Sequence, residues 1–100
     1  MKVRAKIINN ITHVRVLAIH PMETGERIDK DSGERISAKY IQKLSCEHNG
    51  KEVFLAQFGT SISQNPYLAF SFKEGKKGDI LSLRWNDNTG DVKKTDTTIK

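Results

Sequence analysis

Three histidines, one cysteine, two closely spaced glutamates and a pair of loop serines are the side chains here that could do chemistry. A metal site needs ligands that recur at short, fixed spacing, and His13, His20 and His48 show no such grouping. They read as structural or solvent-facing histidines, with His20 also placed to touch a partner because Pro21 fixes the chain directly after it. Glu23 and Glu26 stand three apart in a loop-like stretch, where no regular backbone sets the separation that an acid and a base require. Ser61 and Ser63 lack the Gly-x-Ser-x-Gly turn of an exposed nucleophile. Cys46 is the one thiol, and His48 shares its face if the segment is extended, but no third group is present to orient the pair. A small thiol-dependent redox protein is the enzymatic alternative that Cys46 offers. Its alternation with Leu44 reads instead as a buried apolar filler. The seven glycines fall among turns and never form a phosphate cradle followed by lysine. No catalytic residue, cofactor or metal ligand is expected.

The elements that would position these side chains are strands. Val3, Ala5 and Ile7 alternate with Lys2, Arg4 and Lys6, which predicts a strand with a basic outer face closed by Asn9-Asn10. His13 to His20 is rich in β-branched residues and ends at Pro21, which has no N–H for a ladder. Met22 to Arg35 reads METGERIDKDSGER and predicts an exposed loop or irregular hairpin. The stretch from Ile36 to Cys46 fits two periods. Ile36, Tyr40, Ile41 and Leu44 make a helical stripe, whereas Tyr40, Gln42, Leu44 and Cys46 share one face of a strand. Asn49-Gly50 favours the strand, because both positions tolerate the positive φ of a two-residue hairpin. Val53 to Phe58 forms the return strand, and Tyr67 to Lys73 the next, with Leu68, Phe70 and Phe72 expected to supply a major part of the core. Leu81, Leu83 and Trp85 define another strand, and Asp91 to Ile99 a polar edge strand with little inward-facing bulk. About seven strands without a βαβ unit predict an all-β chain, an immunoglobulin-like antiparallel β-sandwich, with a small barrel as the alternative.

One hundred residues suit a single domain spanning 1–100. No apolar run approaches the roughly 18 to 20 residues of a membrane-spanning helix, so no membrane partner is expected. One cysteine excludes an internal disulfide and a Cys-x-x-Cys site. Seventeen Lys and Arg against twelve Asp and Glu leave a net charge of +5, a weak argument for an anionic partner. Lys2, Arg4, Lys6, Arg15, Arg84, Lys93 and Lys94 would have to line up to bind nucleic acid. The aromatics that would stack bases instead follow the core pattern, so no nucleic acid is expected.

Several blocks, taken in order, carry a resemblance. They are His20-Pro21-Met22-Glu23-Thr24-Gly25, His48-Asn49-Gly50, Ala56-Gln57-Phe58-Gly59, Asn65-Pro66-Tyr67-Leu68 through Phe72, and Gly78-Asp79 through Trp85-Asn86-Asp87-Asn88-Thr89-Gly90. Across nearly its whole length the sequence resembles the SoxZ family, the Z subunits of a sulfur-oxidation carrier complex. Phe58 stands where related sequences often carry tryptophan. The resemblance implies an immunoglobulin-like, non-catalytic subunit that pairs with a SoxY-like partner, whose mobile C-terminal arm bears the cysteine that carries sulfur intermediates during thiosulfate oxidation. It implies that the pair meets Sox cytochrome, thiohydrolase and sulfur dehydrogenase components. It also implies a periplasmic complex, and the start of this chain, Met1-Lys2-Val3-Arg4, suits export on the partner's signal. The chain ends Asp96-Thr97-Thr98-Ile99-Lys100, with no glycine-flanked cysteine of its own. His20, Pro21 and Met22 at a strand exit, and Asn65, Pro66 and Tyr67 before the aromatic strand, are the expected partner contacts. Lys76, Lys77 and Arg84 are candidates for steering an oxyanion cargo.

Overall fold

The computed structural model describes residues 1–100, which form seven strands: β1 (Lys2–Ile8), β2 (Ile11–Leu17), β3 (Ile41–His48), β4 (Lys51–Gln57), β5 (Tyr67–Phe72), β6 (Ile80–Asp87) and β7 (Val92–Thr98). They pair antiparallel in two sheets, ordered β1-β2-β5 and β4-β3-β6-β7. The expected immunoglobulin-like sandwich is therefore the architecture found. Asn9 and Asn10 at φ of 53° and 65°, and Asn49 and Gly50 at 51° and 81°, make the two tight hairpins at the positions their sequence indicates. Between β2 and β3 the chain forms an irregular hairpin held by isolated bridges at Glu23–Lys39 and Ile28–Arg35, exposed throughout from Glu26 to Arg35.

The mixed periodicity of the third strand has a physical origin. Ile41 and Leu44 are both fully buried although three residues apart, because the β3–β6 register shifts between Ile41 and Lys43. A bulge inserts one extra residue and turns the following side chains over. Gln42 is consequently exposed, not inward-facing as strict alternation predicts. Beyond the bulge Leu44 and Cys46 resume the inward alternation.

The core lies between the middle strands. Val14 and Val16 of β2 face Ile41, Leu44 and Cys46 of β3 and Leu81, Leu83 and Trp85 of β6, joined by Ala5, Ala18, Met22 and Ile99. Truncating any of the fully buried leucines to alanine costs about 2 to 5 kcal/mol in such a setting. Two expectations need correction. Leu68, Phe70 and Phe72 are only half-buried, since β5 is the last strand of its sheet and the strand across from it, β4, is also an edge. No further strand covers them. Conversely, Ile99 is 1% exposed and anchors the polar last segment, so that segment does carry inward bulk.

The two sides of the sandwich differ. On one side Lys100 bonds the main chain of β1 across the sheets, with Ile7 N–H donating to Lys100 O and Lys100 N–H to Ala5 O, each at 3.0 Å. The β4/β5 side has no such stitch. There Phe54 and Phe70 stack with ring centroids 4.0 Å apart and planes 4° from parallel. The molecule is elongated, 53 Å on its long axis, with a radius of gyration of 15.8 Å against about 13 Å for a compact chain of this length.

Candidate functional site

Cys46 is fully buried, and loss of solvation, reinforced by the charge of Glu47, pushes its thiol up to about 12. The thiolate that nucleophilic or redox chemistry needs is therefore not available at neutral pH. Its strand neighbour His48 is engaged elsewhere, bonding Asp79. Glu23 pairs with Arg27 through two bonds of 3.1 and 2.6 Å, and Ser61 and Ser63 are exposed in the β4–β5 connection. Nothing here assembles a reaction centre.

The densest polar constellation is instead built around Asp87, at the end of β6. Its side chain is fully buried, and its two oxygens accept five hydrogen bonds. Oδ2 takes His20 Nε2 at 3.0 Å and Lys39 Nζ at 2.8 Å. Oδ1 takes the Thr89 N–H, the Thr89 hydroxyl and the Asp91 N–H at 2.7 to 3.0 Å. Burial by itself would raise this carboxyl, but the bonds from Lys39, His20 and Thr89 outweigh it and hold Asp87 far below the usual carboxylate range. The His20 tautomer follows from its other nitrogen. Nδ1 accepts the Met22 N–H at 3.0 Å, so Nε2 carries the proton it gives to Asp87. The ring also meets Trp85 edge-on, centroids 5.0 Å apart.

Lys39 completes the hub by spending its three N–H bonds on Asp87, on Thr89 Oγ1 at 3.0 Å and on Asp91 at 2.6 Å. Next to it Asn88 accepts the Tyr40 N–H at 2.8 Å and donates to Ala38 O at 2.9 Å. The β6–β7 turn thus grips the long β2–β3 crossover at both of its ends, through His20 and through residues 38–40. Lys39, Asp87, Asn88 and Thr89 are the residues that sequence reasoning missed. The run Asn86-Asp87-Asn88-Thr89-Gly90 entered only as part of a resemblance block, although a carboxylate placed in the inward register of a strand is itself a signal. Lys39 lies in a loop and gives none.

At the opposite end of β6, His48 Nε2 meets Asp79 Oδ2 at 2.7 Å. The same oxygen accepts the Lys76 N–H at 3.1 Å. The His48 bond, opposed by partial burial, keeps the Asp79 carboxyl below its ordinary value. Gly75 crosses directly over Thr12 Oγ1, leaving no room for a Cβ, and that hydroxyl is buried without a partner.

The six expected partner contacts do come together. His20 N–H donates to Asn65 Oδ1 at 3.0 Å, Asn65 N–H returns a bond to His20 O at 2.9 Å, and Ala18 N–H donates to Pro66 O at 2.9 Å. Their accessibility divides them. His20, Met22 and Pro66 are buried within this chain, so they support a surface from beneath and do not form it. Pro21, Asn65 and Tyr67 are exposed, Tyr67 by 59%. Tyr67 opens β5, and behind it Leu68, Phe70, Phe72, Phe54 and Phe58 are half-buried along the open side of the sandwich. The expected steering residues are not one cluster. Lys76 and Lys77 share the turn with Glu74 and Asp79, while Arg84 stands in the middle of β6 beside Lys94.

A sandwich whose polar resources go into holding its own crossover, with an open aromatic side, has the construction of a binding subunit. No curated protein matches the chain. Residues 1–98 match the family described as sulphur oxidation protein SoxZ. Two of the blocks that carry the resemblance, those of His20 and of Asp87, meet in the buried hub. The chain belongs to the SoxZ family and is a non-catalytic partner subunit of the SoxYZ carrier complex.

Proposed function

We propose that this chain forms a stable heterodimer with a SoxY-like subunit and serves as the body from which that partner presents its sulfur-loaded C-terminal cysteine. The observation that carries this reading is the open β4/β5 side, where two edge strands leave main-chain groups unpaired and an aromatic seam half-covered. Edge strands and exposed aromatics are the features that partner chains cover. Pro21, Asn65 and Tyr67 stand at one end of this side, on the support of His20, Met22 and Pro66. Through the heterodimer the chain meets the cytochrome, thiohydrolase and sulfur dehydrogenase components in turn. It works in the periplasm, where SoxZ proteins generally act, and reaches it by export with SoxY.

Native mass measurement of the chain mixed with its SoxY partner tests the pairing. A one-to-one complex at micromolar concentration is expected, and two independent species would refute the reading. Phe70→Ala combined with Tyr67→Ala should weaken that complex by at least roughly tenfold, the scale of an interface hot spot, while the monomer stays folded. Unchanged pairing would move the interface elsewhere. Removing only the partner's export signal should abolish periplasmic accumulation of both chains, and continued export of this one would end the co-export account.

A further inference from the structure

The charge of the chain is not spread over it. Of its seventeen basic residues, four lie in β1, β2 and β5, five in the other sheet and eight outside the strands. Of its twelve acidic residues the corresponding numbers are none, four and eight. The non-strand segments are thus neutral, the four-stranded sheet carries one net charge, and the three-stranded sheet carries four. All four of those cations, Lys2, Arg4, Lys6 and Arg15, project from the outer face and are exposed, with His13 among them. None is in an ion pair, unlike Arg27 or Lys39.

Two further features mark this face. Arg4 and Arg15 are direct cross-strand partners, an arrangement of like charges that costs stability. Beside them the third strand presents Ala69 and Ser71, small residues that leave a trough of about 1010 Å³ flanked by Arg4, Lys6 and Arg15 and by Thr97, Thr98 and Lys100. The face ends in exposed apolar groups, Ile8 at one end and Tyr67 at the other. A cationic trough with apolar ends fits a folded acidic surface. A single-stranded nucleic acid would need aromatics interleaved with the charges, which this face lacks.

We propose that the outer face of the three-stranded sheet, centred on Arg4 and Arg15, is the docking surface for an acidic patch on an enzyme that acts on the carrier complex. The proposal rests on the heterodimer reading above, whose interface reaches this face only at Tyr67 and leaves Arg4 and Arg15 uncovered. Charged side chains that keep their hydration until contact favour rapid, salt-sensitive encounters over tight binding, which suits a subunit that must be released by one enzyme to reach the next.

The test uses reconstituted heterodimer, with Arg4→Glu/Arg15→Glu against wild type, as the varied substrate in thiosulfate-dependent cytochrome reduction. The expected result is an intact heterodimer by native mass, kcat unchanged, and kcat/KM lower by roughly tenfold or more at low salt, converging with wild type as salt rises. Lys43→Glu/Lys94→Glu, which makes the same change in net charge on the other sheet, should change kcat/KM less than twofold, on the order of a screened remote charge. Arg4→Gln should lower kcat/KM while leaving thermal stability equal or higher, because it removes the like-charge pair. A residue with a merely structural role would not separate the two. Unchanged kcat/KM in the double variant, or an equal loss in the control pair, overturns the proposal. So does loss of the heterodimer in Arg4→Glu/Arg15→Glu, since the face would then belong to SoxY. Tighter binding of wild type to oligo-dT than to any assembled component would assign the face to nucleic acid and also overturn it. Failure of the wild-type chain to pair counts against the heterodimer reading instead.

Discussion

The two ends of β6 carry the same kind of pair, a histidine Nε2 on an aspartate Oδ2, and put it to different use. At His20–Asp87 the carboxylate is fully buried, receives five donors and sits beside Lys39. At His48–Asp79 the carboxylate is 24% exposed and receives two. Water can supply what the second carboxylate lacks, whereas a carboxylate out of reach of water must find every partner in the protein. The first pair therefore recruits the long crossover on one side and the β6–β7 turn on the other, and holds up the ledge that carries Pro21, Asn65 and Tyr67. The second ties a local turn to the neighbouring strand. The difference teaches that similar contacts are not equivalent when burial differs.

The largest effect that separates the two ends should come from Asp87→Ala. It leaves the buried His20 ring N–H and two main-chain donors without their acceptor, while Lys39 keeps Thr89 and Asp91, a loss of about 3 kcal/mol or more at roughly 1 to 3 for each buried donor left unmet. Urea unfolding reads it as a fall in midpoint, and a midpoint within error of wild type would refute the hub. At the other end the matching weak point is steric. Gly75→Ala places a Cβ against Thr12 Oγ1 and Ile99, and should cost about 1 to 3 kcal/mol, the scale of overpacking. Thr12→Ala in the same chain should recover part of that loss. Asp79→Ala is expected to shift the urea midpoint less than Asp87→Ala. An equal or larger shift would abolish the contrast between the ends.

Acid sharpens the comparison further. The Asp87 carboxyl binds its proton less readily in the folded chain than in the unfolded one, so its stabilisation is complete above the ordinary aspartate value of about 3.9. It is lost as pH falls from there toward the folded value. Asp79 is shifted in the same direction. Asp87→Asn should therefore flatten the acid limb of stability against pH more than Asp79→Asn does, and the reverse order would contradict the burial argument. Smallest of all, Cys46→Ala, which takes no part in the bonds of either pair, should cost about 1 kcal/mol and leave sulfur transfer by the complex unaltered. In the native chain Cys46 should resist thiol reagents until unfolding, as a pKa of about 12 requires. Rapid native labelling would disprove its burial.

Much of this was legible locally. Alternation marked the strands, Asn9-Asn10 and Asn49-Gly50 marked the tight turns, and the ordered blocks from His20 to Gly90 carried the family. The two-fold reading of Ile36 to Cys46 was also a true signal, since the bulge at Ile41 to Lys43 breaks the period of two. The aromatic strand misled because alternation says which side chains share a face and nothing about how deeply that face is covered. Among the six candidate contacts, sequence placed two chain segments that do meet, yet could not tell that His20, Met22 and Pro66 turn inward.

What the sequence by itself determined was the class of fold and the family, because both are written in patterns that run along the chain. Only the tertiary structure decided that Asp87 joins residues 67 and 48 positions away, which strands become open edges, and that four unpaired cations share one face. The physical reason is common to all three. A strand's pattern fixes which way its side chains point, but its neighbours, its burial and the field around it are set by the order in which the strands assemble into sheets.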